Sequence, residues 1–410
     1  MLLYSQELKN IPPAEASSAQ KVRAAADEIR QGMKSDGDLK CLSIAFERDD
    51  LADIEKFAAL INDNFERLVV MGIGGSSLGA KTLLSVGKKS NVIVLESIDS
   101  DTVNRTFENL NLKQTAFLTV SKSGKTIECI SQTLIIMKIV EEKLGKNALG
   151  KHFFFLTENR ENPLNEIAKT FGIRVFEHHS VIGGRFSYLS NTSLMPAAVA
   201  GLDIKKIRDG AADVIDFVLN NDNNFVLDIC GAQIDMFNNG IAANVTMPYI
   251  DKLYFFNEWY RQLWAESLGK MGKGTIPVSA MGTADQHSQL QLYMEGPRNI
   301  FYTFIGKNKS SNSLKIRETY AKNLSYLKNL TLDDLAKVEF DSTTEVLNVR
   351  KLPLRIINFT ELNETSLSQL MTQYIFETII CGKALGLNPF GQHAVEERKI
   401  LARNMMQKLR

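Results

Sequence analysis

From about Phe65 onward the apolar residues arrive in short, dense runs: LVVMGIG (68–74), NVIVLE (91–96), TAFLTVS (115–121), HFFFLT (152–157) and IRVFE (173–177). They are continuous, not alternating, as strands buried on both faces must be. Stretches at 78–87, 101–109 and 126–145 lie between them and read as helices. This strand–helix alternation predicts a mostly parallel sheet covered on both sides. A looser repeat comes next, with strands predicted at 244–250, 274–280, 299–305 and 350–359 and helices at 255–268 and 366–385. The first forty residues read as helical and polar, with Ala24–Ala26 and Ile29 on one face. A last helix is expected from about Ala394 to the end. The expected fold class is α/β, with two doubly wound α/β/α sandwich units. The first unit spans 1–205 with N-terminal helices, the second 206–385. The segment 386–410 is a C-terminal loop and helix that completes the site.

Charge narrows the function classes. Forty-eight basic against forty-seven acidic residues leave a net +1. A nucleic-acid binder would carry a basic excess, so none is expected as a partner. Any anion site must be local. Cys41, Cys129, Cys230 and Cys381 are far apart, without a CxxC pair or a histidine at zinc spacing. No metal site and no disulfide framework are expected, and a reducing cytoplasm is. The first ten residues lack the apolar core of a signal peptide. No run approaches the length of a membrane-spanning helix, so no membrane partner is expected.

Two segments suit a phosphate. LVVMGIGGSSLG (68–79) is an apolar strand, a glycine turn and hydroxyl residues leading into a helix. Glycines let the backbone approach a ligand, and a helix start offers free N–H groups. The dinucleotide fingerprint fails, because Ser77 stands at its third glycine. The P-loop fails, because Ala80 separates Gly79 from Lys81. The second segment, Ser121-Lys122-Ser123-Gly124-Lys125-Thr126, puts three hydroxyls and a glycine between a strand and a helix. That is more hydroxyl than capping requires.

SKSGKTIE at 121–128 resembles the phosphosugar loop of the sugar isomerase (SIS) fold. GIGGSSLG resembles the first glycine turn of the phosphoglucose isomerase family. The resemblance implies two SIS-type domains and a phosphate cradle made by Gly75, Ser76, Ser121, Lys122, Ser123 and Thr126, with Lys122 and Gly124 assisting through their backbone N–H groups. Gly183-Gly184-Arg185-Phe186-Ser187 resembles the family's Gly-Gly-Arg-x-Ser element, which implies that Arg185 stabilises an enediolate. Gln262-x-x-x-Glu266-Ser-x-Gly-Lys270 resembles the catalytic segment, with Glu266 as the base and Gln262 placing the substrate. Glu258, Gln262 and Glu266 are four residues apart and share a helix face. Gly282 to Ser288 resembles the Gly-x-x-x-Gln-His-Ser element. Its His287 would assist ring opening from the neighbouring subunit, which implies a homodimer with a shared site. Asn388 to Lys399 is similar to the C-terminal signature, and Lys399 would assist at the ring oxygen. Gly391-Gln392-His393-Ala394 stands where the family usually has Asp-Gln-Pro-Gly, with the spacing to the lysine preserved. His393 is read as a helix-start residue.

These motifs cover roughly 65 to 405 in order. They imply an isomerase of glycolysis and gluconeogenesis that takes a hexose 6-phosphate and needs no cofactor. Two alternatives stay open at this point. One is a bifunctional phosphoglucose and phosphomannose isomerase. The other is a non-catalytic phosphosugar sensor, which would keep the phosphate loops and lose the base.

Overall fold

The computed structural model describes residues 1–35, 37–87, 89–308 and 313–409. The chain opens with a strand, β1 (Tyr4–Lys9), before the first long helix Ala16–Gly32. This corrects the helical reading of the first residues. Six residues are too short for a clear period, and polar Gln6 faces inward with Tyr4.

One sheet gathers β2 (Arg67–Met71), β3 (Val92–Leu95), β4 (Thr115–Val120), β5 (Phe153–Thr157) and β6 (Arg174–Glu177). Its order is β3-β2-β4-β5-β6 and every pairing is parallel. Leu68 pairs with Ala116 and Phe117 with Phe153. All six residues of β4 are buried, as its unbroken apolar run predicts. The other sheet holds β7 (Ala243–Pro248), β8 (Ile276–Ser279), β9 (Ile300–Lys307) and β10 (Leu354–Phe359). Its order is β1-β10-β9-β7-β8. It is parallel except for β1, which runs antiparallel to β10 with Tyr4 opposite Phe359. The nine strands expected from residue 65 onward all form, in two α/β units.

The helix Glu364–Ala384 is buried from Ser366 to Gly382 without a break. A helix buried all round lies inside the core, and its polar side chains must then find partners. They do. Arg355 donates to both oxygens of Glu377, at 2.9 and 2.6 Å, and to Gln6 at 3.0 Å. Gln373 donates to Glu377 at 2.7 Å and to Gln6 at 3.2 Å. This network ties β1 to the sheet and to the central helix. Arg355 and Glu377 are almost wholly buried, and such a pair holds only because its remaining donors are also satisfied.

The largest apolar cluster joins this helix to Tyr254–Leu268 through Phe256, Trp259, Tyr260 and Tyr374. Two smaller clusters pack the first sheet (Phe117, Phe153, Phe155, Ile136) and the second (Tyr302, Phe304, Phe340, Leu347). The last helix is Glu396–Gln407, with no buried residue. It was expected to run to the end of the chain, and residue 410 lies outside the described residues. Among the described residues, no helix is long and apolar enough to cross a membrane.

Candidate active site

The glycine turn and the Gly-Gly-Arg segment touch backbone to backbone. Residues 74–76 form a short 3-10 turn after β2, and Gly74 has φ +58. A Cβ on Gly75 would stand 2.5 Å from the Gly184 carbonyl carbon and 2.6 Å from the Arg185 nitrogen. Only glycine allows that approach. A Cβ on Gly74 would meet the Gln262 side chain at 3.1 Å. The turn after β2 therefore adjoins both Arg185 and the helix Tyr254–Leu268.

Arg185 is 3 % exposed and uses its whole guanidinium. Nε donates to Ser267 at 2.9 Å. Nη1 donates to Glu266 Oε2 at 3.2 Å and to Gln392 Oε1 at 2.9 Å. Nη2 donates to the carbonyls of Pro389 at 2.7 Å and Gly391 at 3.0 Å. A guanidinium has five N–H donors, and all five are spent on protein acceptors. The resemblance implied that Arg185 stabilises an enediolate; with every donor engaged, what it can offer a developing negative charge is its fixed positive charge. Burial pulls its pKa down and Glu266 pushes it back up. It stays charged, since no guanidinium deprotonates in the usual range.

Glu266 lies at the other end of this contact. Gln262 donates to its Oε1 at 3.0 Å while Arg185 holds Oε2. The helix spacing of four residues is what lets Gln262 reach it. The carboxylate is 31 % exposed, so it is oriented by two donors and still open to a ligand. A singly oriented carboxylate of this kind can take a proton and return it through one geometry.

The hydroxyl loop leaves β4 beside the glycine turn, because β2 and β4 are neighbours with Met71 opposite Thr119. Ser121 and Thr126 share a hydrogen bond of 2.9 Å, and Ser123 accepts from the Lys125 N–H at 3.3 Å. Gly124 turns at φ +62, where a Cβ would collide with Asn162 at 2.1 Å. Thr126 stands at the N-cap of helix Ile127–Leu144 and makes no capping bond. The first N–H groups of that helix are thus left for an anion. Lys122 points its side chain elsewhere. Its Nζ donates to the Ile182 carbonyl at 3.1 Å and lies 3.9 Å from Glu158. Burial lowers its pKa and Glu158 opposes that. Any contact of Lys122 with a bound phosphate falls to its backbone, and its side chain ties the hydroxyl loop to the segment entering Gly183.

Two of the expected residues stand apart from Glu266 within this chain, and for His287, expected in the neighbouring subunit's site, that is no departure. His287, on a short 3-10 turn after β8, is exposed. Among the described residues, no hydrogen bond or ion pair joins it to Glu266 or Arg185. Lys399 sits on the exposed last helix and donates to Glu396 at 2.6 Å. The reason is physical: neither segment has an apolar face buried against the body of this chain. Three further residues belong to the site and carried no separate expectation: Ser267, Gln392 and Lys270. Lys270 donates to the carbonyls of Asn388, Phe390 and Gly391 at 2.6, 2.9 and 3.0 Å. All three lie inside the quoted motifs, but acceptors that are backbone carbonyls leave no mark in a sequence.

Known proteins are similar to this chain in sequence and in architecture. A family model described as phosphoglucose isomerase matches residues 56–410. A probable glucose-6-phosphate isomerase of Methanococcus maripaludis is 35 % identical over 349 residues, covering 83 % of this chain and 78 % of the relative. A glucose-6-phosphate isomerase of Campylobacter jejuni is 33 % identical over 83 % of this chain and 85 % of its own. A solved hypothetical protein of Thermus thermophilus superposes with a TM-score of 0.88 at 27 % identity, covering 98 % of this chain and 100 % of that one. A glucose-6-phosphate isomerase structure from Chlamydia trachomatis gives 0.80 at 20 % identity over 96 % and 85 %, a likeness of fold.

His178, at the end of β6, supplies a pH test. It is fully buried, its Nδ1 donates to the His179 carbonyl at 3.0 Å, and its Nε2 has no hydrogen-bond partner among the described residues. Burial pushes its pKa down to about 4, helped by the nearby Lys122 charge. The folded state keeps this ring neutral while the unfolded chain titrates near 6.5. The unfolded state therefore binds more protons between those values, and stability falls as pH drops from about 6.5 to about 4. The loss is on the order of 3 kcal/mol for this one group. Urea unfolding across that range is expected to be flatter in His178→Leu than in the wild type. Equal slopes would show that His178 is not the group responsible.

Proposed function

The chain belongs to the phosphoglucose isomerase family, and on that premise we propose how its own residues interconvert D-glucose 6-phosphate and D-fructose 6-phosphate. Glu266 is the base. It removes the proton from C2 of the open aldose as the C1 carbonyl gains electrons, giving a cis-enediolate. It then returns the proton to C1 while the C2 hydroxyl proton passes to the C1 oxygen, which leaves a ketone at C2 and an alcohol at C1. The observation that carries this reading is the Glu266 carboxylate itself, oriented by Gln262 and Arg185 and still 31 % exposed beside the glycine turn. A non-catalytic sensor would have no use for such a group.

The phosphate goes to Gly75, Ser76 and the 121–126 loop, with Ser121, Ser123, Thr126 and the N–H groups around Lys122 and Gly124 as donors. Arg185 acts by holding Glu266 and through its fixed positive charge, placed before any negative charge develops on the substrate. Lys399 and His287 assist ring opening. His287 comes from a second copy, so the working unit is a homodimer with a shared site. Two facts support this. Among the described residues His287 has no link to Glu266, and the last helix leaves Ile400, Leu401, Met405 and Met406 exposed. We place the unit boundaries at 205/206, between β6 and β7 near the start of helix Ile204–Leu219, and at 385/386, before the 388–392 loop; β1 crosses the first boundary by joining the second sheet. The four cysteines are free and buried, which supports a reducing compartment.

Turnover is read with fructose 6-phosphate and a coupled glucose-6-phosphate dehydrogenase. The wild type is expected to turn over. Glu266→Gln should keep phosphosugar binding and lose about a hundredfold to ten-thousandfold in kcat. A wild type that binds fructose 6-phosphate without converting it would end the isomerase reading. The shared site has its own test. Glu266→Gln and His287→Gln chains, each weakly active, are unfolded, mixed and refolded together. Activity above that of either parent is expected, because one mixed site then holds both intact residues. No gain from mixing would contradict the shared site.

A further inference from the structure

Four consecutive carbonyls, those of residues 388 to 391, all accept hydrogen bonds from two cations. Lys270 takes Asn388, Phe390 and Gly391, and Arg185 takes Pro389 and Gly391. The Gly391 oxygen serves both, using its two lone pairs. Gly391 has φ +72, the left-handed region where glycine carries no Cβ penalty. The turn aims its carbonyl at the two cations. Two like charges are thus held against one short stretch of chain, an arrangement that the carbonyl dipoles between them and the nearby Glu266 carboxylate make tolerable.

The chain beyond this loop has little else to fix it. Gln392 meets Arg185 at 2.9 Å, and the helix Glu396–Gln407 then begins with no buried residue. Its one ion pair to the body among the described residues is Arg398 to Glu128, at 3.9 Å with Arg398 69 % exposed. Exposed pairs of this kind contribute little. The position of the helix therefore depends on where the loop ends.

We infer that Lys270 is a positioning residue that closes the 388–391 loop, so that Gln392 seats on Arg185 and the last helix starts from a fixed point. It touches no substrate atom. It acts through Arg185, whose Nη2 would otherwise face a loop free to move, and hence through Glu266 on the same guanidinium. The consequence for turnover rests on the isomerase reading above; the loop clamp itself does not.

The test uses the full chain as wild type, Lys270→Met and Lys270→Arg. Amide hydrogen exchange is followed without substrate, and kcat and KM are measured for fructose 6-phosphate. In Lys270→Met, exchange at 390–400 is expected to rise about tenfold or more while the strands of both sheets keep their protection. The kcat should fall about tenfold to a hundredfold, with KM within about threefold, since small misplacement of a reacting group costs on that scale. Lys270→Arg restores donors to the carbonyls and should recover both. Unchanged exchange in Lys270→Met overturns the clamp, and so does a rise spread over the whole chain. Looser exchange with wild-type kcat overturns the positioning role. If the wild type shows no isomerase activity, the isomerase reading fails and the exchange data alone decide the clamp.

Discussion

A guanidinium taken out of water costs several kcal/mol unless its donors are all met, and Arg185 is the buried cation on which this site is built. Its acceptors come from two separate parts of the chain: Glu266 and Ser267 on one helix, and Pro389, Gly391 and Gln392 in one late loop. Removing any one would strand a buried donor. The base is thus placed by the same interaction that closes the loop, and the Gly75–Gly184 contact fixes where the arginine enters.

Two lysines extend this logic outward. Lys122 joins the hydroxyl loop to the carbonyl just before the two glycines, and Lys270 joins the base-bearing helix to the 388–391 loop. Each donates to backbone carbonyls, so each fixes where a segment runs. A phosphate arriving at 121–126 would meet a loop already tied to the Arg185 segment. In such an arrangement binding energy at the phosphate can be spent at the reacting carbons, which is how remote contacts raise rate.

The strands were legible because parallel sheets covered on both faces need unbroken apolar runs, and such runs as TAFLTV and HFFFL are hard to mistake. β1 was not legible, since its inward Gln6 answers a buried Arg355 from the other end of the chain. No local pattern announces that pairing. Glu266 and Gln262 were legible from their four-residue spacing together with the resembling motif. The saturation of Arg185 was not, because its acceptors at Pro389, Gly391 and Gln392 lie far downstream in the chain. The side-chain direction of Lys122 was equally hidden: the loop motif implied a phosphate contact from its backbone N–H and said nothing of the ammonium, which the geometry sends to Ile182. His287 and Lys399 stand apart from Glu266 and Arg185 within one chain.

The central claim is that the fork of Arg185, and not its charge alone, holds the base. Arg185→Lys tests it most directly, because lysine keeps the charge and cannot satisfy five acceptors in one plane. The measurement is kcat/KM for fructose 6-phosphate, with the fold checked by circular dichroism. A folded variant with a loss of about a hundredfold or more is the predicted result, on the scale that misplacing a catalytic group costs. A folded Arg185→Lys enzyme with near-wild-type kcat/KM would contradict the account and leave charge as the whole contribution of this residue.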